Sequence, residues 1–187
     1  MKIGRKKSSF FEWVKGIALT FILFSLIRCF IFIPIVVDGD SMLPTLSDED
    51  RVIVNKSVPF VSDFERFDVV VFSVDGVRYV KRIIGLPGDT VQYENDELYI
   101  NGEQIPEPFI QEMKDQMHKY GKVTYDFTLD ELLEEQVVPP GKYFVLGDNR
   151  LYSLDSRDAR VGFVPEKSIE GCVEFVMYPF DRIQSIK

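Results

Sequence analysis

The sequence predicts a mainly β domain placed behind a single N-terminal apolar helix, and three observations predict it. Residues 17–27 form an uninterrupted apolar run preceded by basic residues. From residue 51 onward, short stretches rich in Val, Ile, Phe and Tyr recur between Gly, Pro and Asp punctuation, as strands do. The chain has 187 residues, 45% of them hydrophobic, which is enough for one buried core and an appendage.

The N-terminal segment is read first as a membrane anchor. Residues 14–33 carry only two charges, Lys15 and Arg28. A helix of ~20 residues, rising 1.5 Å per residue, spans the ~30 Å hydrocarbon layer. Arg28 lies in the outer third, where its side chain can snorkel to the interface beside Phe30 and Phe32. The basic residues before the span put residues 1–13 in the cytoplasm, a transmembrane helix over 14–33, and residues 34–187 on the other side. A cleaved signal peptide is the competing reading, but Arg28-Cys29-Phe30-Ile31-Phe32 offers no small-x-small cleavage site. Pro34 stops the helix.

Strands follow at Arg51–Lys56, Asp68–Ser73 and Val77–Ile84. Thr90–Tyr93 and Leu98–Ile100 flank Glu94-Asn95-Asp96 as a hairpin. From 101 to 140 the composition changes: Pro106 and Pro108 open a polar helix that runs to Gly121, Thr128-Leu-Asp-Glu131 is a capping-box pattern, and Pro139-Pro140-Gly141 closes the segment. We read it as a small α/β surface insertion. Strands resume at Lys142–Leu146 and Val173–Met177.

Charge and cysteine content narrow the chemistry. The net charge is −8, of which the first fifteen residues contribute +4, so the body is strongly acidic, against nucleic-acid binding. Cys29 and Cys172 lack the spacing of a metal ribbon or a disulfide framework and are expected to be free. The single histidine, His118, sits in a polar run and reads as a surface residue. Ser-His-Asp, Cys-His and multi-histidine metal sites are therefore hard to build.

The stretch Val37-Asp38-Gly39-Asp40-Ser41-Met42-Leu43-Pro44 puts a hydroxyl on a Gly- and Pro-flanked turn. From Pro34 to Ser41 the chain reaches at most ~25 Å, so Ser41 acts close to the membrane surface. As a nucleophile Ser41 needs a base, and without histidine the candidates are carboxylates and lysines. Lys81 shares a strand face with Tyr79 and Ile83, so burial can lower its pKa and yield a free amine. The plainer reading, that Lys81 snorkels to solvent, stays open. The loop Gly147-Asp148-Asn149-Arg150-Leu151-Tyr152-Ser153-Leu154-Asp155-Ser156-Arg157 is dense in hydrogen-bonding groups. Ser153 can orient an amine, and Asp155 can pair with Arg157 or Arg82. Gly85-Leu-Pro-Gly-Asp89 lacks the Gly-Lys-Ser/Thr ending of a phosphate loop and reads as a Pro-Gly turn.

Four ordered blocks behind one anchor resemble the bacterial type I signal peptidases, membrane-anchored Ser-Lys proteases of the S26 peptidase family. They are Gly39-Asp-Ser-Met-Leu-Pro-Thr45, Asp68–Phe72, Tyr79-Val-Lys-Arg-Ile-Ile-Gly-Leu-Pro-Gly-Asp89 and Gly147-Asp-Asn-Arg-x-x-Ser-x-Asp-Ser-Arg157. The resemblance implies a signal-peptidase-like, LexA-like β catalytic domain on the outer face of a bacterial cytoplasmic membrane. It implies Ser41 as nucleophile, Lys81 as general base, Ser153 as hydrogen-bond partner of the lysine, and Asp155, Arg157 and Arg82 as ion-pair residues. Met42 is placed beside the nucleophile at the membrane-facing edge, and Asp148 counts among the supporting residues. The oxyanion hole uses the Ser41 N–H; some members add a serine hydroxyl where this chain has Gly39. A further departure is Phe67, where the family often has Gly. The implied substrates are signal peptides of exported preproteins, the implied surroundings a phospholipid membrane, and the implied enzyme a monomer without metal or cofactor. Two other readings are a self-cleaving Ser-Lys regulator similar to the LexA-type repressors and a non-enzymatic, membrane-tethered β module.

Overall fold

The computed structural model describes residues 9–186, with side chains other than those of residues 9, 10, 26–30 and 61. The basic start (Lys2 to Lys7) and the side chains of Arg28 and Cys29 lie outside the described residues.

Helix α1 (Ser9–Ile31) runs straight into strand β1 (Phe32–Val36). It starts five residues before the predicted position and ends earlier, because Phe32 and Ile33 pair with Asn55 and Val54 of β2 (Arg51–Asn55). Pro34 is tolerated in β1 because this is an edge strand, where a missing N–H need not break the sheet. Trp13, Ile17, Leu19 and Phe21 of α1 are all exposed. Among the described residues no helix is long and apolar enough to cross a membrane.

After β2 come the short helix α2 (Val58–Val61) and strands β3 (Val69–Val74), β4 (Val77–Gly85), β5 (Val91–Glu94), β6 (Glu97–Ile100) and β7 (Glu103–Ile105). They are followed by α3 (Gln111–Met117), β8 (Phe127–Thr128), α4 (Leu129–Leu133), β9 (Lys142–Leu146), β10 (Val164–Pro165), β11 (Ile169–Tyr178) and β12 (Gln184–Ser185). The larger, antiparallel sheet has the order β1-β2-β11-β3-β4-β9-β10, with β12 on β11. The smaller has the order β7-β6-β5-β8.

Local chemistry accounts for the predicted elements. Alternation in β5 buries Val91 and Tyr93 and exposes Gln92 and Glu94. Asn95 and Asp96, both at positive φ, make the two-residue turn to β6. The capping box forms as predicted: the Glu131 N–H donates to Thr128 Oγ1 and the Thr128 N–H to the Glu131 carboxylate. The helix after Pro108 is shorter than expected, ending at Met117 with His118 exposed at its C-terminus.

The 101–140 segment is more than a surface connection. It supplies β7 and β8, and Phe127, Leu129 and Val138 join Ile84, Phe144 and Leu146 of the larger sheet in one core. It also buries Glu107, Lys114 and Thr124. Arg150, itself buried, donates to Glu107, to Tyr93 Oη at 2.7 Å and to Thr124 Oγ1 at 3.3 Å. Tyr93 Oη in turn donates to Glu107 at 2.6 Å, and Lys114 Nζ lies 3.5 Å from the other Glu107 oxygen. These charges lock the smaller sheet to the loop after β9. Removing one partner of a buried pair leaves the other uncompensated, so Glu107→Ala is expected to cost about 3–5 kcal/mol in chemical unfolding, with Glu107→Gln costing less.

Candidate active site

Three segments build the site: the turn after β1, one strand of the sheet, and the loop after β9. Along β4 successive side chains alternate, so Lys81 faces the cluster that holds Ile83 and Tyr79 while Arg82 faces the opposite way. Lys81 is 3% exposed, and its Nζ is 2.7 Å from Ser41 Oγ, to which it donates, and 2.9 Å from the Val80 carbonyl. Burial lowers its pKa from 10.5 to about 8, against the opposing pull of Asp155 and Asp148. The structure thus buries Lys81 and brings its amine within hydrogen-bond distance of Ser41.

Arg82 and Asp148 form a fully buried, two-pronged pair, Nε to Oδ1 at 2.9 Å and Nη2 to Oδ2 at 2.7 Å. Asp155 pairs with Arg157 and not with Arg82, since the alternation of β4 turns Arg82 away from that side. Asp155 also accepts the Gly147 N–H, and Arg157 donates to the Arg150 carbonyl, so the loop is pinned at both ends.

Two placements differ from expectation. Ser153 is not bonded to the lysine: its buried hydroxyl has no partner, and the Lys81 amine turns to Ser41 and to the Val80 carbonyl. Met42 follows the nucleophile and, at 1% exposed, packs with Val37, Leu46 and Val52 in the core rather than standing at the surface. The Leu46 N–H to Met42 carbonyl bond of 2.9 Å folds this turn inward. Gly39 stands at φ +86° with open space where a Cβ would sit, so its backbone conformation, not crowding, favours glycine. Its N–H donates to Asp48 Oδ1. Phe67 has the same handedness, φ 75°, which explains why glycine suits this position. Here it is held by bonds from its N–H to the Ile83 carbonyl and from Arg82 to its own carbonyl, and by packing on Phe109.

Two residues were missed in the sequence. Asn149 donates from its backbone to the Ser41 carbonyl at 3.1 Å and from its side chain to the Asp40 carbonyl at 3.0 Å, clamping the nucleophile turn. Thr45 donates to Asp148 and accepts from Arg82, joining that turn to β4. Both lie inside recognised blocks, but side-chain direction is invisible without the turn's path. The Ser41 N–H makes no hydrogen bond among the described residues and is available to an oxyanion. A groove beside the pair is walled by Ile35–Met42 on one side and Val77–Lys81 on the other, with Tyr152 and Leu154 at its rim.

A base with a pKa of about 8 must lose its proton to act, so activity is expected to rise with pH through about 8 and level off above it. Asp155→Asn removes a negative charge that favours the ammonium, and its pH–rate profile should move to lower pH. A Cβ on Gly147 would come 2.2 Å from Ser153 Oγ and 2.4 Å from the Ser41 carbonyl oxygen. Gly147→Ala should therefore displace the nucleophile and lower kcat/KM by about 100-fold.

The family described as signal peptidase, peptidase S26, matches residues 10–178. The chain is 48% identical to signal peptidase I S of Bacillus subtilis (strain 168) over 96% of its own length and 95% of that protein's. It is 46% identical to a signal peptidase I of Bacillus amyloliquefaciens, over 97% and 95% of the two chains. The crystal structure of a signal peptidase I from Enterococcus faecalis V583 matches with a TM-score of 0.56 at 45% identity, covering 60% of this chain and 97% of that one. With a match that runs almost from end to end, the chain belongs to the signal peptidase family, peptidase S26.

Proposed function

We propose that the chain is a serine endopeptidase that removes N-terminal signal peptides from exported preproteins, with Ser41 as nucleophile and Lys81 as general base. The observation that carries this reading is the 2.7 Å approach of a nearly inaccessible lysine amine to a serine hydroxyl in a groove. As free amine, Lys81 takes the Ser41 proton while Oγ attacks the scissile carbonyl. The developing oxyanion is met by the Ser41 N–H; Gly39 adds no side chain, and its own N–H is already engaged. The protonated lysine then donates to the leaving amine, the new N-terminus of the mature protein. An acyl-enzyme remains, and Lys81 activates water to release it.

The groove suits an extended peptide. Among the described residues, 77–81 of β4 pair with β3 alone, because pairing with β9 begins at Arg82, and β1 is an edge strand. Each wall thus offers backbone groups to a substrate strand. Ile35, Val36, Val77 and Leu154 line shallow apolar pockets that favour small side chains near the cut. Arg82, Asp148, Asn149, Asp155 and Arg157 hold the geometry and do not touch substrate.

The enzyme is held at the cytoplasmic membrane by α1 as a single-pass anchor, with the N-terminus inside and the catalytic domain, a monomer, on the outer face. The exposed apolar surface of α1 and the basic start of the chain support this placement. Neither a self-cleaving regulator nor an inert module is favoured by any feature of the site.

Cleavage of a preprotein by the purified chain in detergent tests the assignment. Ser41→Ala and Lys81→Ala should abolish cleavage; wild-type rates in either would overturn the dyad. Lys81→Arg should also be inactive, because a guanidinium does not deprotonate usefully. Lys81→Met removes a cation disfavoured by burial. It is expected to be inactive yet more stable by roughly 1–3 kcal/mol near pH 7. That gain should shrink as pH rises from about 8, where the folded lysine loses its proton, towards 10.5, the ordinary value.

A further inference from the structure

The groove does not end at its rim. Tyr152 and Leu154, which border it beside Ser41 and Lys81, also line a second, open hollow of about 390 Å³. That size lies within the ~300–1,000 Å³ of ordinary binding clefts. The two meet next to the nucleophile. The point where a Gly147 Cβ would sit is 2.4 Å from the Ser41 carbonyl oxygen and 2.2 Å from Oγ of Ser153, a residue of the second hollow.

One wall of this hollow comes from the 101–140 segment, through Tyr125. Its ring lies 5.5 Å from the Arg157 guanidinium and 5.7 Å from the Phe127 ring. The backbone on either side of it is pinned: the Thr124 N–H donates to Asp96 at 2.6 Å, the Thr124 hydroxyl accepts from Arg150 at 3.3 Å, and Asp126 accepts the Asn95 N–H at 2.9 Å. The arginines that line the hollow are each matched by an acid, Arg150 by Glu107, Arg157 by Asp155 and Arg160 by Asp158. The hollow therefore makes no demand for a charged ligand. What it offers is ring surface, since Tyr125 is 51% and Tyr152 80% exposed.

We infer that this hollow is the leaving-side half of the substrate site: it holds, extended, the first residues of the mature protein, with the rings of Tyr125 and Tyr152 packed against them. This rests on the signal-peptide-cleaving reading above, in which the residues before the cut lie between β1 and β4. A chain that follows those strands to Ser41 meets the loop after β9, whose Asn149 clamps the serine turn, and passes Tyr152 and Leu154 into the hollow. Ring contact without net charge tolerates many sequences, so the subsite selects for length beyond the cut and not for one residue type. Contacts to residues remote from the reacting bond help to seat the scissile carbonyl against Oγ, and so raise the rate of cleavage. Through Tyr125 the 101–140 segment takes a direct part in holding the substrate.

The test uses the purified full chain in detergent and two synthetic peptides that share one complete signal sequence. One carries a single residue after the cut and the other five, and both are C-terminally amidated. In wild type, kcat/KM should be at least about tenfold higher for the longer peptide. In a double variant with Tyr125→Ala and Tyr152→Ala this ratio should fall below about threefold. It should stay within about twofold of wild type in Tyr125→Phe, which keeps the ring, and in Tyr120→Ala, which alters an exposed tyrosine of the same segment outside the hollow. The ratio is taken within each preparation, so partial unfolding of a variant leaves it unchanged. Equal cleavage of the two peptides by wild type would overturn the inference, as would a wild-type ratio that survives in the double variant; in either case the reaction assigned to Ser41 stands. If wild type cleaves neither peptide, that reaction and the subsite fall together.

Discussion

The arrangement depends on keeping one amine poor in water and close to one hydroxyl. An ordinary lysine holds its proton so firmly near neutral pH that it is almost never a base. Burial of Lys81 lowers that hold, while Asp148 and Asp155 restrain the shift. The rest of the domain keeps this balance in place: β3 and β9 flank β4, the Arg82–Asp148 pair fastens the reverse face of the same strand, and Asn149 and Thr45 fasten the serine turn to both. A strand with alternating faces permits this division of labour, since adjacent residues Lys81 and Arg82 serve opposite sides of the sheet without sharing a partner.

Much of this was legible in the sequence, for physical reasons that differ by element. The strands announced themselves through β-branched runs; the β5–β6 turn and the α4 cap through short-range chemistry that needs no tertiary information. The serine and its lysine were found by eliminating histidine and by a two-residue periodicity, and the resemblance to a known family then outweighed the alternative of a solvent-facing lysine.

What was not legible depends on long-range packing. The alternation of β4 separated Lys81 from Arg82 but could not say that Arg82 would choose Asp148 over Asp155, because that choice rests on how the loop after β9 folds back. The inward turn of Met42 and the unpartnered Ser153 hydroxyl have the same origin. The segment 101–140 looked like a polar connection because its buried charges, Glu107 and Lys114, are satisfied by partners distant in sequence. Phe67 is instructive in the other direction. Its departure from glycine was visible, and only the backbone angle explained it.

The placement of β11 has a consequence for how the molecule comes into being. This strand, from near the C-terminus, lies between β2 and β3 in the middle of the larger sheet. Until residues 169–178 have been synthesised, β2 and β3 have no common neighbour, and the sheet that carries the lysine strand is incomplete. Sheets closed by such distant pairings assemble late and slowly. A nascent chain that still lacks residues 169–178 therefore lacks a finished larger sheet beneath Ser41 and Lys81.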